Sequence, residues 1–389
     1  MAETPIPPGC ENVKININFM EEVLIECNAK SINKVFIMSN SSLSSKVDAL
    51  EKMLVENGKQ VTKNYDIKMG GLGFEGACKA AAEFRAEVVV SIGTGAIQDC
   101  AKIVRIWIAA TTEDSSIEVT FEKLIEWHSA NLSQKLVGQI ACPSVFAMAE
   151  FTGMAGTQTA DGKKAGVFAP DQIKNTMPTL ILFDPTLGQD SPNWLKFGTL
   201  LRSVDHSVEA ITHKKASETT TALGVKALAL IQEGLKLLTE DPKSKDGMCK
   251  VFEGGWAGIS AYASIYYAAG HWLENQFSAR YSVHQGSCSA LLMWRILHFH
   301  KQDTAEAQKL ISKALGDPDA SAAKLVKDLI DSCPDLPRKY EDVESVKQDD
   351  FEEFAKIQQI AMLNRLSPRQ FTDFNDVLSI LKTTYEEVV

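Results

Sequence analysis

An α/β domain built on a parallel sheet, followed by an all-helical domain, is the fold class this sequence predicts, and three observations predict it. Short apolar runs at 35–38, 87–92, 136–142 and 178–183 alternate with helical stretches through the first half of the chain. That alternation is the signature of βα units, whose strands are buried on both faces of a parallel sheet. Strand signals nearly vanish after Asp184-Pro185. Downstream, long segments carry apolar residues at helical spacing.

Taken in order, residues 1–17 read as a flexible or edge-bound lead and 18–30 as a short helix. The strand 35–38 runs into Ser39, Asn40, Ser41 and Ser42, a polar cluster that opens a helix over 44–56. A helix at 73–86 precedes the strand 87–92, the turn Gly93-Thr94-Gly95-Ala96 and a helix at 97–108, where Ile97, Ala101, Val104 and Trp107 share a face. Gly188, Asp190, Ser191 and Pro192 cluster at the boundary, which divides the chain into 1–188 and 189–389. Helices are expected at 198–211, 220–239, 251–275, 285–300, 303–314, 321–332, 350–364 and 371–386.

The 389 residues carry 40 Lys+Arg against 50 Asp+Glu, a formal charge of -10. No global basic field exists to collect phosphates, which argues against nucleic acid as a partner. The start, Met-Ala-Glu-Thr-Pro-Ile-Pro-Pro, lacks the basic and apolar regions of a secretory signal, and no apolar run reaches a membrane-spanning length. The eight cysteines, Cys10, Cys27, Cys78, Cys100, Cys142, Cys249, Cys288 and Cys333, are scattered without a C-x-x-C pair. They read as reduced thiols of a cytoplasmic protein rather than a zinc–thiolate site.

Two constellations carry chemistry. In Ser91-Ile-Gly93-Thr94-Gly95-Ala96, two glycines let the backbone approach a ligand at a strand end, and the following helix directs its N–H groups there, as a pyrophosphate would require. Asp99 and Cys100 replace the rest of a G-x-G-x-x-G fingerprint, so a tight turn without a ligand fits equally. The second constellation is three histidines. His206 lies between Arg202 at i−4 and Glu209 at i+3, His271 follows Ala-Ala-Gly, and His284 sits 13 residues further on, before Gln285-Gly286. Three converging imidazoles can hold a divalent metal, but the spacing is no metal motif in itself, and each histidine alone reads as a packing residue. His128, His213, His298 and His300 have no such context.

The order of these elements resembles the iron-containing alcohol dehydrogenase superfamily, in its fungal maleylacetate-reductase-like branch, over roughly residues 20–385. Gly93, Gly95, Asp99, Ala101 and Lys102 match the family's Gly-Gly-Gly-Ser-x-x-Asp-x-Ala-Lys. Pro143-Ser144-Val145 and Glu150-Phe151-Thr152 match its next two signatures, and Asp161-Gly162-Lys163-Lys164 precedes Leu180 to Pro185 as in the family. Arg202 to Glu209 matches the helix of the first histidine ligand, and His271 and His284 match the second and third.

The resemblance implies a Rossmann-like nucleotide-binding domain, a helical catalytic domain in a dehydroquinate synthase-like architecture, and hydride exchange with NAD or NADP in a cleft. It places the cofactor on Ser39, Gly93, Thr94, Gly95, Ala96, Asp99, Ser144, Val145, Phe151 and Lys164, and the chemistry on Arg202, His206, His271, Asn275 and His284. Departures are also visible. Thr94 and Ala96 replace a glycine and a serine, Ser144 and Val145 replace two threonines, Arg202 replaces a ligand aspartate, and Asn275 replaces a relay histidine. No tightly bound metal is therefore expected, and His206, His271 and His284 stand as vestigial ligand positions. Arg202 either takes over the metal's electrostatic role toward a carbonyl or carboxylate oxygen or serves as a structural partner of Glu209. The expected protein is an NAD(P)H-dependent, metal-independent reductase of a small polar carbonyl compound or keto or enol acid. The alternative is a non-redox enzyme (lyase, hydrolase or isomerase) on the same scaffold. The resemblance further implies a homodimer.

Overall fold

The computed structural model describes residues 12–68, 71–113, 120–158, 164–169, 172–173, 175–265 and 267–388. The chain divides into two compact units between Asp190 and Ser191.

The first unit runs β1 (Val13–Ile15), α1 (Phe19–Ala29), β2 (Lys34–Ser39), α2 (Ser44–Glu56), β3 (Gln60–Asn64), α3 (Phe74–Phe84), β4 (Val88–Gly93), α4 (Gly95–Glu113), α5 (Phe121–Ala130), β5 (Gly138–Pro143), β6 (Ala155–Gln158), β7 (Lys164–Val167) and β8 (Leu180–Phe183). Six strands form one sheet in the order β1-β8-β5-β4-β2-β3, with every neighbouring pair parallel. Side-chain alternation divides the core between the sheet's two faces. Val35, Ile37, Val88 and Val90 pack with Phe19, Val23, Leu50 and Leu54 of α1 and α2. Phe36, Met38 and Val89 pack with Phe74, Ala77, Ile97 and Val104 of α3 and α4. The lead segment supplies β1 at the sheet edge.

Three elements of this unit go beyond the sequence reading: β3, α5 and the antiparallel pair β6–β7. β3 is an edge strand with largely half-buried side chains, so it lacks the apolar run that exposes β2 and β4 to view.

The second unit begins with α6 (Asn193–Thr212), α7 (Glu218–Glu240), α8 (Lys245–Ile265), α9 (Ala269–Tyr281) and α10 (Gln285–Phe299), and five shorter helices follow between Ala305 and Lys382. No strand occurs in it among the described residues. The continuous helix expected at 251–275 is broken: α8 ends at Ile265, and Ala268 adopts extended backbone as the N-cap of α9. The helix expected at 350–364 is likewise split, into Phe351–Lys356 and Ile360–Leu366. α6 packs against α7, α8 and α10, and every residue from Lys196 to Ile211 is buried. Among the described residues no disulfide joins the cysteines, and no helix is long and apolar enough to cross a membrane.

Candidate active site

Because all six strands run parallel, their C-terminal ends share one sheet edge. From β2 the chain moves outward to β3, whereas from β4 it moves to β5 on the opposite side. The reversal lies between β2 and β4, and open α/β sheets place ligands at such a point. The segments leaving these strands are Ser39-Asn40 and Gly93-Thr94-Gly95.

Gly93 has φ +144, and a Cβ there would stand 2.6 Å from Asn40 Oδ1 and 3.2 Å from Ile97 Cγ1. Glycine is therefore required at 93 on both backbone and steric grounds. Thr94 O accepts from Ile97 N and Gln98 N, and Thr94, Gly95 and Ala96 are half-buried at the start of α4. The N–H groups of a first helical turn point away from the helix body, toward any anion at its end. Ser39 Oγ donates to Ile92 O at 2.8 Å, and Ser144 N donates to Gly93 O at 3.0 Å, so both serines brace the loops around the turn. Val145 and Phe151 are buried. A Cβ on Gly95 would stand 3.1 Å from that of Ala147.

Asp99, expected on the cofactor, bonds to groups of its own unit. Its Oδ1 accepts from Lys102 Nζ at 3.0 Å and its Oδ2 from Gly156 N at 3.0 Å. Lys102 is wholly buried and also donates to Ala149 O and Met154 O. The pair ties α4 to β6, a structural duty that its i,i+3 spacing on α4 allows. The side chain of Lys164 and the segment 159–163 lie outside the described residues. Asn40, which faces Gly93, escaped the sequence reading as a site residue. Glu150 is 1% exposed, and burial pushes its carboxyl up to about 7.

In the helical unit, Arg202, Asp205, His206 and Glu209 occupy i, i+3, i+4 and i+7 of α6, one face of a helix with no solvent-facing side. Polar groups so buried require partners. The Arg202 guanidinium donates through Nη1 to Glu274 Oε2 and to Ser289 Oγ at 3.0 Å, lies 3.2 Å from Asp205 Oδ2, and reaches a ring nitrogen of His271 at 2.7 Å. His271 Nδ1 lies 2.9 Å from Asp205 Oδ2, and Arg202 Nη2 lies 2.7 Å from both ring nitrogens. The break before α9 leaves the His271 backbone N–H unpaired within its own helix, and Glu209 Oε1 accepts it at 2.7 Å. Gly270 makes this approach feasible, because a Cβ there would lie 2.6 Å from Glu209 Oε1.

The His206 and His271 rings stack at 5.5 Å, with Tyr262 at 4.8 Å from the first and 5.3 Å from the second, and Tyr267 at 5.2 Å from His271. His206 Nδ1, Glu209 Oε2, Glu274 Oε1 and the Tyr262 hydroxyl make no hydrogen bond among the described residues, although Glu209 Oε2 lies 3.9 Å from His271 Nδ1. Asn275 donates to the Tyr267 hydroxyl and accepts from Gln285 Nε2 at 2.8 Å. His284 caps α10: its Nδ1 accepts from Gly286 N at 3.2 Å and its ring meets Trp194 edge-on at 5.2 Å. It also lines a cavity of about 430 Å³ with Ser287, Asp335 and Asp342.

The structure thus gathers Arg202, His206 and His271, joins Asn275 to them through Tyr267, and sets His284 against Trp194. Asp205, Tyr262, Tyr267, Glu274 and Ser289 complete the cluster beyond the residues the sequence reading nominated. Glu274 had one sequence signal, its i+3 position from His271 on a shared helix face. Of the two readings of Arg202, neither named its main partners, which are Glu274 and Asp205. His128, His213 and His300 are buried packing residues, and His298 is partly exposed.

Electrostatics follow from this geometry. Burial works against the charge of Asp205, but Arg202 and the bond from His271 outweigh it and hold the carboxyl below its usual range. Burial, then the charge of Asp205, pushes Glu274 up to about 8 against the pull of Arg202. Burial, then Asp205 and Glu274, drives Glu209 well above its usual value. Burial, then Arg202, brings His271 down to about 4, and burial, then His271 and Arg202, holds His206 well below its usual value. At neutral pH the cluster holds a guanidinium, an ionised Asp205 and neutral imidazoles, while burial pushes Glu209 and Glu274 toward their protonated forms.

Ligand atoms of Asp205, Glu209 and His271 come within 4.8 Å of one another. A divalent ion among them does not fit the residues present, because the guanidinium already lies 3.2 Å from Asp205 Oδ2 and 2.7 Å from His271. Two positive centres at such separation repel strongly in a buried site.

The iron-containing alcohol dehydrogenase family matches residues 14–185, and the C-terminal part of the Fe-containing alcohol dehydrogenase family matches residues 199–385. Alcohol dehydrogenase 4 of Saccharomyces cerevisiae is 24% identical over 382 residues, covering 94% of this chain and 95% of that protein. Maleylacetate reductase of Pseudomonas knackmussii is 21% identical over 317 residues, covering 80% of this chain and 77% of its own. A crystal structure of sulfoacetaldehyde reductase from Bifidobacterium kashiwanohense in complex with NAD+ shares the fold, with a TM-score of 0.77 at 15% identity over 97% of this chain and 98% of that one. With matches that span both compact units in the same order, the chain belongs to the iron-containing alcohol dehydrogenase family of oxidoreductases.

Proposed function

We propose that this chain reduces the carbonyl group of a small polar compound with NADH or NADPH and needs no resident metal ion to do so. The observation that carries the reading is the buried guanidinium of Arg202, which stands one turn before His206 where the family resemblance places a ligand carboxylate. The sulfoacetaldehyde reductase of the same fold, solved with NAD+, supports the cofactor class. The β2–β4 edge fits a dinucleotide, since Gly93 leaves no room for a side chain and α4 begins there. Gly93, Thr94, Gly95 and Ala96 would hold its pyrophosphate, with Asn40, Ser144 and Val145 around them. When bound, the reduced nicotinamide supplies a hydride.

The accompanying proton is this chain's task. His206 is neutral and has an unpartnered Nδ1. It is the group placed to give the proton to the developing alkoxide oxygen. Arg202, saturated by Glu274, Asp205, Ser289 and His271, sets the field around this transfer instead of clamping a substrate.

Following oxidation of NADH and NADPH with a panel of aldehydes and keto acids, before and after exhaustive chelation, tests the reading. Turnover that survives chelation supports it; one firmly bound iron or zinc per chain whose removal abolishes turnover overturns the metal-free part. Gly93→Ala should raise the dissociation constant of the nucleotide at least about tenfold, because a Cβ forces Asn40 away and strains the turn. Fluorescence titration with NADH reads this directly.

The buried acid–base group of Glu209, Glu274, His206 and His271 favours a second reading, a non-redox enzyme, because it is complete without a nicotinamide. Absence of any NAD(H) or NADP(H) binding at millimolar concentration would select it. The homodimer stays a proposal as well, supported by β1 as an edge strand open to a partner's sheet. A monomer mass by light scattering rejects it.

A further inference from the structure

We propose that the helical unit holds a further ligand site, a basic cavity at the C-terminal end of α10 that takes a compact polyanion of the pyrophosphate type. His284 caps the N-terminus of α10, and this cavity lies at the other end of that 15-residue helix, about 20 Å along it. The site is independent of the reduction reading.

The cavity has a volume of about 470 Å³ and lies between the last residues of α10 and the helix Phe374–Lys382. Lys301, Arg369 and Lys382 line it against one carboxylate, Glu387, and Phe299 is the one apolar residue among the described residues of the lining. Lys324, Lys327 and Lys356 elsewhere in the unit each meet an Asp or Glu. Lys301, Arg369 and Lys382 make no ion pair among the described residues, and Glu387 Oε2 instead accepts from Thr384 N at 2.7 Å.

Two helices end at this cavity, and cations often gather at a helix C-terminus to meet its carbonyl groups. Here that need is already met. Phe299 O accepts from Arg369 Nη1 at 2.8 Å, and Thr383 O accepts from Arg295 Nε at 3.0 Å. Lys301 Nζ stands 3.4 Å from His298 Nε2 and bonds to no carbonyl, and Lys382 Nζ makes no hydrogen bond among the described residues. Arg369 is also held in place, its guanidinium 4.1 Å over the Phe299 ring, so its planar fork is preorganised for an oxyanion. A ligand that meets this fork and two ammonium groups together needs more oxygens than one carboxylate offers, and linked phosphates supply them. The chain's overall charge of -10 disfavours an extended nucleic acid, whereas a small anion that enters the cavity meets the local cations alone.

Titration calorimetry of the full chain with pyrophosphate, at low salt and with chelator present, is the test. Lys301→Gln/Lys382→Gln should weaken binding at least about tenfold, and Lys301→Arg/Lys382→Arg should retain it. Lys236→Gln/Lys313→Gln removes the same charge from positions outside the cavity and should change binding by less than about twofold. All four lysines are exposed, so these variants should keep the wild-type fold. Pyrophosphate should raise the unfolding temperature of the wild-type protein and of the Lys236→Gln/Lys313→Gln control, but not that of Lys301→Gln/Lys382→Gln. Wild-type protein that binds no pyrophosphate overturns the proposal. So does an equal loss in the two glutamine pairs, which would mean a diffuse surface attraction only. Binding that is lost in Gly93→Ala and kept in Lys301→Gln/Lys382→Gln would put the pyrophosphate at the turn after β4 and overturn the proposal equally.

Discussion

Arg202→Met is expected to destabilise the protein by about 3–5 kcal/mol, and Arg202→Met/Glu274→Leu is expected to recover only part of that loss, because Asp205 stays buried without its cation. Arg202 is 5% exposed and faces Asp205 at 2% and Glu274 at 0%. Taking the guanidinium away leaves two carboxyl groups buried and adjacent with no compensating charge. Replacing Glu274 as well removes one of the two buried carboxyl groups along with its attraction, which is why the double variant is less harmful than the single one. Urea denaturation of the four proteins in the cycle measures both effects.

The loss should depend on pH in a stated direction. Glu274 titrates near 8 in the folded chain, above the ordinary carboxyl value of 4.5, so the folded state holds its proton more tightly. The stability linked to that proton is fully present below the unfolded value and is lost as pH rises through about 8. Without Arg202 the carboxyl needs its proton still more, so Arg202→Met should suffer more at pH 9 than at pH 6. His271 works in the opposite sense on the acid side. Its folded value of about 4 lies below the usual 6.5, so its contribution erodes as pH falls through that window. Equal loss at the two pH values would show that Glu274 does not carry the proton.

Gly286→Ala is expected to destabilise by about 3 kcal/mol and to displace His284, whereas Gly198→Ala should change stability by less than about 1 kcal/mol. The two glycines face each other where α6 and α10 touch, yet they are not equivalent. A Cβ on Gly286 would stand 2.3 Å from Gly198 O and 2.5 Å from Gly198 Cα, which is backbone that can yield only if the helices part. A Cβ on Gly198 would meet the His284 ring at 3.5 Å and Gly286 Cα at 3.6 Å, an ordinary contact. Gly286 N also donates to His284 Nδ1, so separating the helices opens the cap of α10 and turns the histidine. Thermal melts of both variants, with turnover measured alongside, check the asymmetry. Equal stability in the two would disprove the close approach.

Much of the fold was legible in the chain. Strands such as β2 and β4 are buried on both faces, so their apolar runs stand out, and the two glycines after β4 announce a tight turn. Arg202, Asp205, His206 and Glu209 were also readable as one helix face, because their spacing is a property of the helix alone. β3 and the β6–β7 pair escaped because edge and hairpin strands with half-buried side chains lack a continuous apolar run. Nothing in the local pattern between 251 and 275 announced the break before α9. There Ala268 turns the backbone extended, and the His271 N–H it frees is satisfied by Glu209, a residue 62 positions earlier.

By itself the sequence determined the buried strands of the sheet, the change to helices after Asp184-Pro185, the glycine turn, the histidines and, through the resemblance, the replacement of a carboxylate by Arg202. Only the tertiary structure decided what that arginine does. The carboxyl that accepts from it, Glu274, lies 72 residues away on another helix, and the hydroxyl that accepts from it, Ser289, lies 87 away on a third. Helical periodicity specifies which face a side chain takes. It does not specify which other face will meet it, and a buried charge is settled by the groups that packing brings within a hydrogen bond of it.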